Sequence, residues 1–279
     1  FVHLLSYMPI SMPTGLWVPI RKKIKPMRSH QYALGGYYTG INGWEFSVEG
    51  YYKDMRNVLE YKDGVSFFGS SSGWENKVEM GKGRSAGIEF MAQKTAGKTT
   101  GWLSYTLSKS DRKFTKGGIN NGEWFPYKYD RRHSINLTIN HKFSDRIDIG
   151  ASWVFYTGGT STIPEEKTTV IRPHNGANNG FLWYGTYDNT NSSPTIGDVS
   201  YIEHRNNFRL PASHRLNLGV NFNKKTKHGM RTWNISLYNA YNAMNPAWVY
   251  RGHNKQGLSV IKKYTLLPLI PSFTYTYKF

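Results

Sequence analysis

Cysteine is absent from this sequence. Disulfide staples and thiolate metal sites are therefore excluded, which suits a chain that crosses an oxidising compartment. Long apolar runs are missing too, since no stretch approaches the ~18–20 consecutive apolar residues of a membrane-spanning helix. Hydrophobic residues make up 38% of the 279, and mean hydropathy is -0.58. Both values are low for a soluble protein of one large or two small domains. Acidic residues are scarce, with 18 Asp and Glu against 36 Lys and Arg and a formal net charge of +18. Such an excess calls for an anionic partner. The cations are spread along the chain, however, with local clusters only at "RKKIK" (21–25) and "NKKTKH" (223–228). That distribution argues against nucleic acid. Lipid headgroups, lipopolysaccharide phosphates or further polypeptide can balance the charge equally well. The opening "FVHLLSYMPI" has no basic n-region and no small-residue cleavage site, so it reads as a cut or processed end rather than a signal peptide.

Aromatic residues are plentiful, with 20 Tyr, 14 Phe and 9 Trp, and they fall into alternating patterns. In "RHSINLTINHKF", Ile135, Leu137, Ile139 and Phe143 share one face, while Ser134, Asn136, Thr138 and Asn140 share the other. "DIGASWVFY" (148–156) and "HRLNLGVNFNK" (214–224) repeat the period of two, which fits strands and no helix. Residues 31–38, 44–53, 84–94, 101–110 and 231–242 follow it less purely. The closing "PSFTYTYKF" follows it best, with Phe273, Tyr275, Tyr277 and Phe279 on one face. With residues 1–8 as a possible further strand, the sequence predicts about ten strands. Short turns at 40–43, 95–101, 143–146 and 224–229 alternate with long segments at 9–29, 63–81, 114–128 and 158–207. Placing every long connection at one end is the habit of an outer-membrane barrel, whose turns are short on the periplasmic side and long outside. A strand crossing lipid must be apolar toward the hydrocarbon and is free to be polar inside. Trp44, Tyr105, Trp153 and Trp233, near strand ends, suit the interfacial girdles. The expected fold is thus all-β: an antiparallel transmembrane β-barrel segment.

Several stretches resemble the barrel region of TonB-dependent outer-membrane receptors. They are "EGYYKDMRNVLEY" (49–61), "RSAGIEFMAQKTAGKTTGWLSYTLSKSDRKF" (84–114), "FPYKYDRRHSINL" (125–137), "SLYNAYNAMNP" (236–246) and the tail. The tail also resembles the signal read by the barrel-assembly machinery. The resemblance implies a barrel of roughly 22 strands with an N-terminal plug, which imports scarce nutrients using energy passed from the inner membrane through TonB. Residues 1–279 are then expected to be the C-terminal part of that barrel. The plug and earlier strands, on the same gene product or a separate chain, would be partners, as would outer-membrane lipid, lipopolysaccharide and a surface lipoprotein. An isolated arc would leave unpaired backbone edges in lipid, each group costing several kcal/mol.

No catalytic arrangement stands out, so no enzyme activity is expected. His133 in "YDRRH" reads as structural, and Asp130, Arg131 and Arg132 as residues that order the start of a strand by ion pairing or point into the lumen. Arg84, Glu89, Gln93 and Arg215 are expected to face the lumen, where a plug would meet them. Trp74, Trp124, Trp183, Tyr184, Tyr187 and Trp248 fall in the long segments, and exposed rings there can stack on sugars, peptides or ring-shaped ligands. They are the candidate ligand-binding residues, with loop-on-loop packing as the plain alternative. "YDNTNSSPTIGD" (187–198) is rich in oxygen ligands without calcium-loop spacing, so no metal or cofactor is called for. Two other functions remain open: a complete small barrel with a hydrolase site at its rim, and a soluble β-rich glycan-binding module.

Overall fold

The computed structural model describes residues 2–5, 16–20, 24–62, 74–163, 166–171 and 196–279. Its centre is one ten-stranded antiparallel sheet. The long strands are β1 (Arg28–Tyr38), β2 (Trp44–Tyr61), β3 (Val78–Lys94), β4 (Thr99–Lys113), β5 (His133–Lys142), β6 (Ile147–Tyr156), β7 (Ser213–Thr226), β8 (Gly229–Tyr238) and β9 (Ile270–Lys278). Each pairs with its neighbours in chain order, and the short strand Phe125–Pro126 adds to β4. Short connections (39–43, 95–98, 143–146, 227–228) lie at one end and long ones (62–77, 114–132, 157–212, 239–269) at the other. The expected alternation of loop lengths is therefore present. The last connection is long as well, and carries its own hairpin of Pro246–His253 with Ser259–Thr265. Val2–Leu5 is a strand but pairs with Leu16–Pro19 in a separate hairpin instead of joining the sheet.

Side chains segregate by face as the period of two demands. Registered rows such as Leu103–Leu137–Trp153–Leu216 and Ile139–Ala151–Leu218–Leu237 cross the apolar face. On the polar face Asp148 accepts 2.7 Å hydrogen bonds from Asn221 and Asn223, Asn234 donates to Asn221, and Thr232 donates to Asn223. A polar groove of about 480 Å³ lies over β1–β4, lined by Tyr37, Ser47, Glu49, Glu89, Ser104 and Thr106. A groove of about 580 Å³ on the opposite face is lined by Tyr38, Phe46, Phe90, Ala92, Leu103 and Tyr105. The sheet is open: β1 and β9 each bond on one side among the described residues, and every residue of both is exposed.

The strands of the first half are longer than the alternation suggested, and a bulge interrupts β2 between Arg56 and Val58. Asn57 fills it in the left-handed region, at φ 58. An inserted residue reverses which side chains face which side. Val58 and Glu60 thereby stay on the face of Met55 and Gly83, where Val58, Phe114, Ile119, Phe125 and Met55 form a small buried cluster. Without the extra residue Glu60 would point from the apolar face.

Candidate functional site

The long connections converge at one end of the sheet around two buried carboxylates. Glu60, placed on the polar face by the bulge, is 8% exposed. Its Oε2 accepts from Arg112 Nη1 at 3.0 Å, and Arg205 Nη2 lies 3.4 Å from Oε1. Arg205 also donates to the Tyr61 carbonyl (2.8 Å), and its backbone N–H donates to Asn120 Oδ1 (2.7 Å). The Arg112 guanidinium sits 3.7 Å from the ring centre of Tyr127. Burial pushes the Tyr127 hydroxyl above its ordinary pKa, the Arg112 charge opposing it. Burial likewise pushes the Lys128 ammonium below its ordinary range, with Glu60 acting in the other direction.

The second hub is Asp130, with a side chain fully enclosed. Its Oδ1 accepts from the Ser110 N–H (2.7 Å), and its Oδ2 from Arg132 Nε (2.9 Å) and Arg209 Nη2 (2.6 Å). Arg209 Nη1 donates to the carbonyls of Asp130 (2.8 Å) and Gly158 (2.9 Å). Asn206 donates to the Pro126 carbonyl, and Asn207 exchanges hydrogen bonds with Ile163. The returning segment 203–209 is thus stapled across the 114–132 connection. Glu79 orders that connection from below, accepting from the backbone N–H groups of Thr115 (3.0 Å) and Ile119 (3.2 Å). These carboxylates are occupied by guanidinium or backbone donors. They fix the shape of the rim and are not presented to a reactant.

Of the "YDRRH" residues, Asp130 and Arg132 do order the strand start by ion pairing, while Arg131 stacks on Tyr156 at 4.0 Å. His133 has a structural contact, with its Nδ1 2.9 Å from the Tyr105 hydroxyl. Glu89, Gln93 and Arg215 lie on the polar face as expected; Arg215 hydrogen-bonds Tyr238 and lies 4.3 Å from its ring centre. Arg84 departs from expectation. It pairs across β3–β4 with Asp111, in the alternation of Ile88 and Phe90, and so belongs to the apolar face at its charged margin. Its Nη2 is 3.0 Å from Asp111.

Among the candidate aromatics, Trp124 packs with the Arg84 guanidinium 4.2 Å from its ring centre. Trp248 stacks on Tyr264 across the last hairpin at 4.2 Å and 8°. Trp74 opens the short 3-10 turn Trp74–Lys77. Trp183, Tyr184 and Tyr187 lie outside the described residues. Trp124 and Trp248 occupy separate connections. The hub residues Glu60, Arg205 and Arg209 were not legible as a site, because their partners come from distant parts of the chain. The one signal was arginine bracketing an Asn pair in "RNNFR" (205–209).

An open antiparallel meander with one apolar and one polar face, and with all long connections at one end, defines the wall of a β-barrel. The chain belongs to the TonB-dependent receptor family: the family described as "TonB dependent receptor-like, beta-barrel" matches residues 7–247. No curated protein sequence matches it. Among solved structures, the ferric-catecholate import receptor Fiu from E. coli K12, in its closed form, aligns with a TM-score of 0.51 at 14% identity, over 91% of this chain and 28% of that one. The unliganded ferric citrate transporter FecA aligns at 0.48 and 12%, over 88% and 30%. The siderophore receptor PirA from Acinetobacter baumannii aligns at 0.38 and 11%, over 90% and 34%. The chain therefore spans about a third or less of the receptors it resembles.

Proposed function

We propose that this chain forms part of the wall of an outer-membrane importer that takes up a scarce nutrient with energy delivered by TonB. Family membership across 7–247 carries this reading, and the physics of the sheet supports it. Further strands close the wall by pairing with the free edges of β1 and β9, because unpaired backbone groups are costly in lipid. A plug fills the lumen against the polar face, where Glu89, Gln93 and Arg215 meet it. The long connections, held in shape by the Glu60 and Asp130 hubs, receive the nutrient. Trp74, Trp183, Tyr184, Tyr187 and Trp248 offer rings for stacking there. Trp124 contributes at the outer flank, where its ring already packs against Arg84. A surface lipoprotein that caps the rim would dock on the same connections.

Uptake measured in cells that carry or lack the intact gene, each with and without TonB, tests the proposal. Nutrient accumulation should require both. Fractionation of the protein with soluble material, or uptake indifferent to TonB, would refute the reading.

A further inference from the structure

The apolar face of β1–β4 carries an ordered patch of cations at its long-connection margin. Arg28 pairs with Arg56, Arg56 with Lys82, and Lys82 with Lys113, so four basic side chains stand in one registered row across four strands. All four are exposed. One row nearer the apolar band come His30, Asp54, Arg84 and Asp111, and in the next row Tyr32, Tyr52, Ala86 and Lys109. The two carboxylates are already engaged: Asp54 with Arg56 (3.4 Å), and Asp111 with Arg84 (3.0 Å) and Lys109 (3.4 Å). Arg28, Lys82 and Lys113 form no ion pair among the described residues. Adjacent strands lie about 4.8 Å apart, so the row spans roughly 15 Å.

Position identifies the ligand. Below the patch the same rows become Leu34–Gly50–Ile88–Leu107 and Gly36–Val48–Phe90–Tyr105, which suit hydrocarbon. On β3, Arg84 and Lys94 bracket this apolar stretch. At about 3.3 Å per residue and a strand tilt near 40°, they stand about 25 Å apart along the membrane normal, which is the height of a barrel's lipid-facing band. The cations therefore lie at the headgroup level of the outer leaflet, continuous with the surface that acyl chains cover. Along β5–β7 the last registered residues of this face at the same end are His133, Phe155 and His214, none of them lysine or arginine.

The geometry points to a binding site for a multiply phosphorylated, acylated sugar lipid of the outer leaflet: Arg28, Arg56, Lys82 and Lys113 hold its phosphates, and the apolar rows of β1–β4 hold its chains. This rests on the membrane reading above and adds a specific ligand site on the outside of the wall. Neighbouring cations and the multiple charges of such a headgroup complement each other, and one apolar margin of the site meets the tails.

The test uses the full-length protein in detergent, with lipid bound per protein read by native mass spectrometry. The probes are lipid A, lipid A stripped of its phosphates, and inorganic pyrophosphate as competitor. Lipid A should bind the wild type at least tenfold better than it binds the fourfold variant Arg28→Gln, Arg56→Gln, Lys82→Gln, Lys113→Gln. The dephosphorylated lipid should bind no better than lipid A binds that variant, and pyrophosphate should not displace lipid A. A control pair, Lys224→Gln with Arg231→Gln, removes cations at the opposite margin of the apolar face and should leave binding unchanged. If the fourfold variant does not fold, as judged by loss of its heat-dependent gel shift, the paired variants Arg28→Gln/Arg56→Gln and Lys82→Gln/Lys113→Gln replace it. Equal binding of lipid A by wild type and variant, or equal binding of the two lipids, overturns the assignment. Displacement by pyrophosphate would make this a free-phosphate site and overturn its lipid character. A protein that fractionates with the outer membrane and imports with TonB yet shows no such selectivity sinks this inference alone.

Discussion

Asp130 offers the sharpest test of how the rim is held. Its carboxylate is fully enclosed and takes one backbone N–H and two guanidinium donors. Removing one partner of a buried charge pair costs about 3–5 kcal/mol when both partners are buried. Here the side chains of Arg132 and Arg209 are 34% and 30% exposed, so water recovers part of that loss. Arg209 also keeps two carbonyl acceptors. For Asp130→Ala the balance is about 2–4 kcal/mol. Asp130→Asn keeps an oxygen for the Ser110 N–H and loses the charge, at about 1–2 kcal/mol. The cost should fall on the local opening of the rim rather than on the whole wall. At about 1.4 kcal/mol per factor of ten, the alanine variant should speed amide exchange roughly 30- to 700-fold. The affected amides are Ser110, Thr160 and Leu210, the last two bonded to the carbonyls of Lys128 and Gly159. Hydrogen exchange of the full-length protein, read by mass spectrometry on peptides covering these positions, supplies the measurement. Unchanged exchange there, or equal acceleration throughout β7–β9, would refute the account of a local hub.

The face assignment predicts a strong asymmetry between neighbours on β5. Leu137→Arg should lower barrel stability by about 2–4 kcal/mol in lipid, whereas Asn136→Arg should change it far less; equal costs in urea unfolding would contradict the assignment. Gly87→Ala should weaken the β2–β3 pairing by about 1–3 kcal/mol, because a Cβ there would meet the Tyr51 ring at 2.8 Å, and the additional change Tyr51→Ala should recover most of the loss. Lys128 is held below its ordinary pKa by burial, so the unfolded chain binds more protons between that lowered value and the usual lysine range. Rim stability attributable to Lys128 should therefore rise with pH across that window and lose this slope in Lys128→Met. Glu60→Gln should lower the Lys128 pKa further, as followed by NMR of the isotopically methylated amine, since Glu60 is the charge that favours its protonated form.

Much of the wall was legible because alternation is local. Ile135, Leu137 and Ile139 announce a face without reference to any partner. Legibility failed where charge entered the apolar alternation. Asp54, Arg56, Lys82 and Arg84 continue β2 and β3 past the hydrocarbon band, so the strands read as ending early and Arg84 as facing the lumen. The bulge at Asn57 compounded this by reversing the alternation within one strand. Residues 1–8 looked like a wall strand because an apolar run carries no information about its partner, and Val2–Leu5 bonds to Leu16–Pro19 instead. The rim hubs were hidden for a different reason. Glu60 and Arg205 meet across 145 positions of sequence, a proximity set by the register of the strands between them.

Among the described residues, every long strand of the wall bonds only to the wall strands before and after it in chain order. Construction can therefore proceed one hairpin at a time, each closure costing only the entropy of its own connection, which grows slowly with length, before the next begins. A slip in one hairpin would displace its own two strands without demanding that remote segments be unthreaded. Exchanges of whole hairpins between related chains would likewise leave the remaining pairings intact, which is a route by which such walls can change length over evolutionary time.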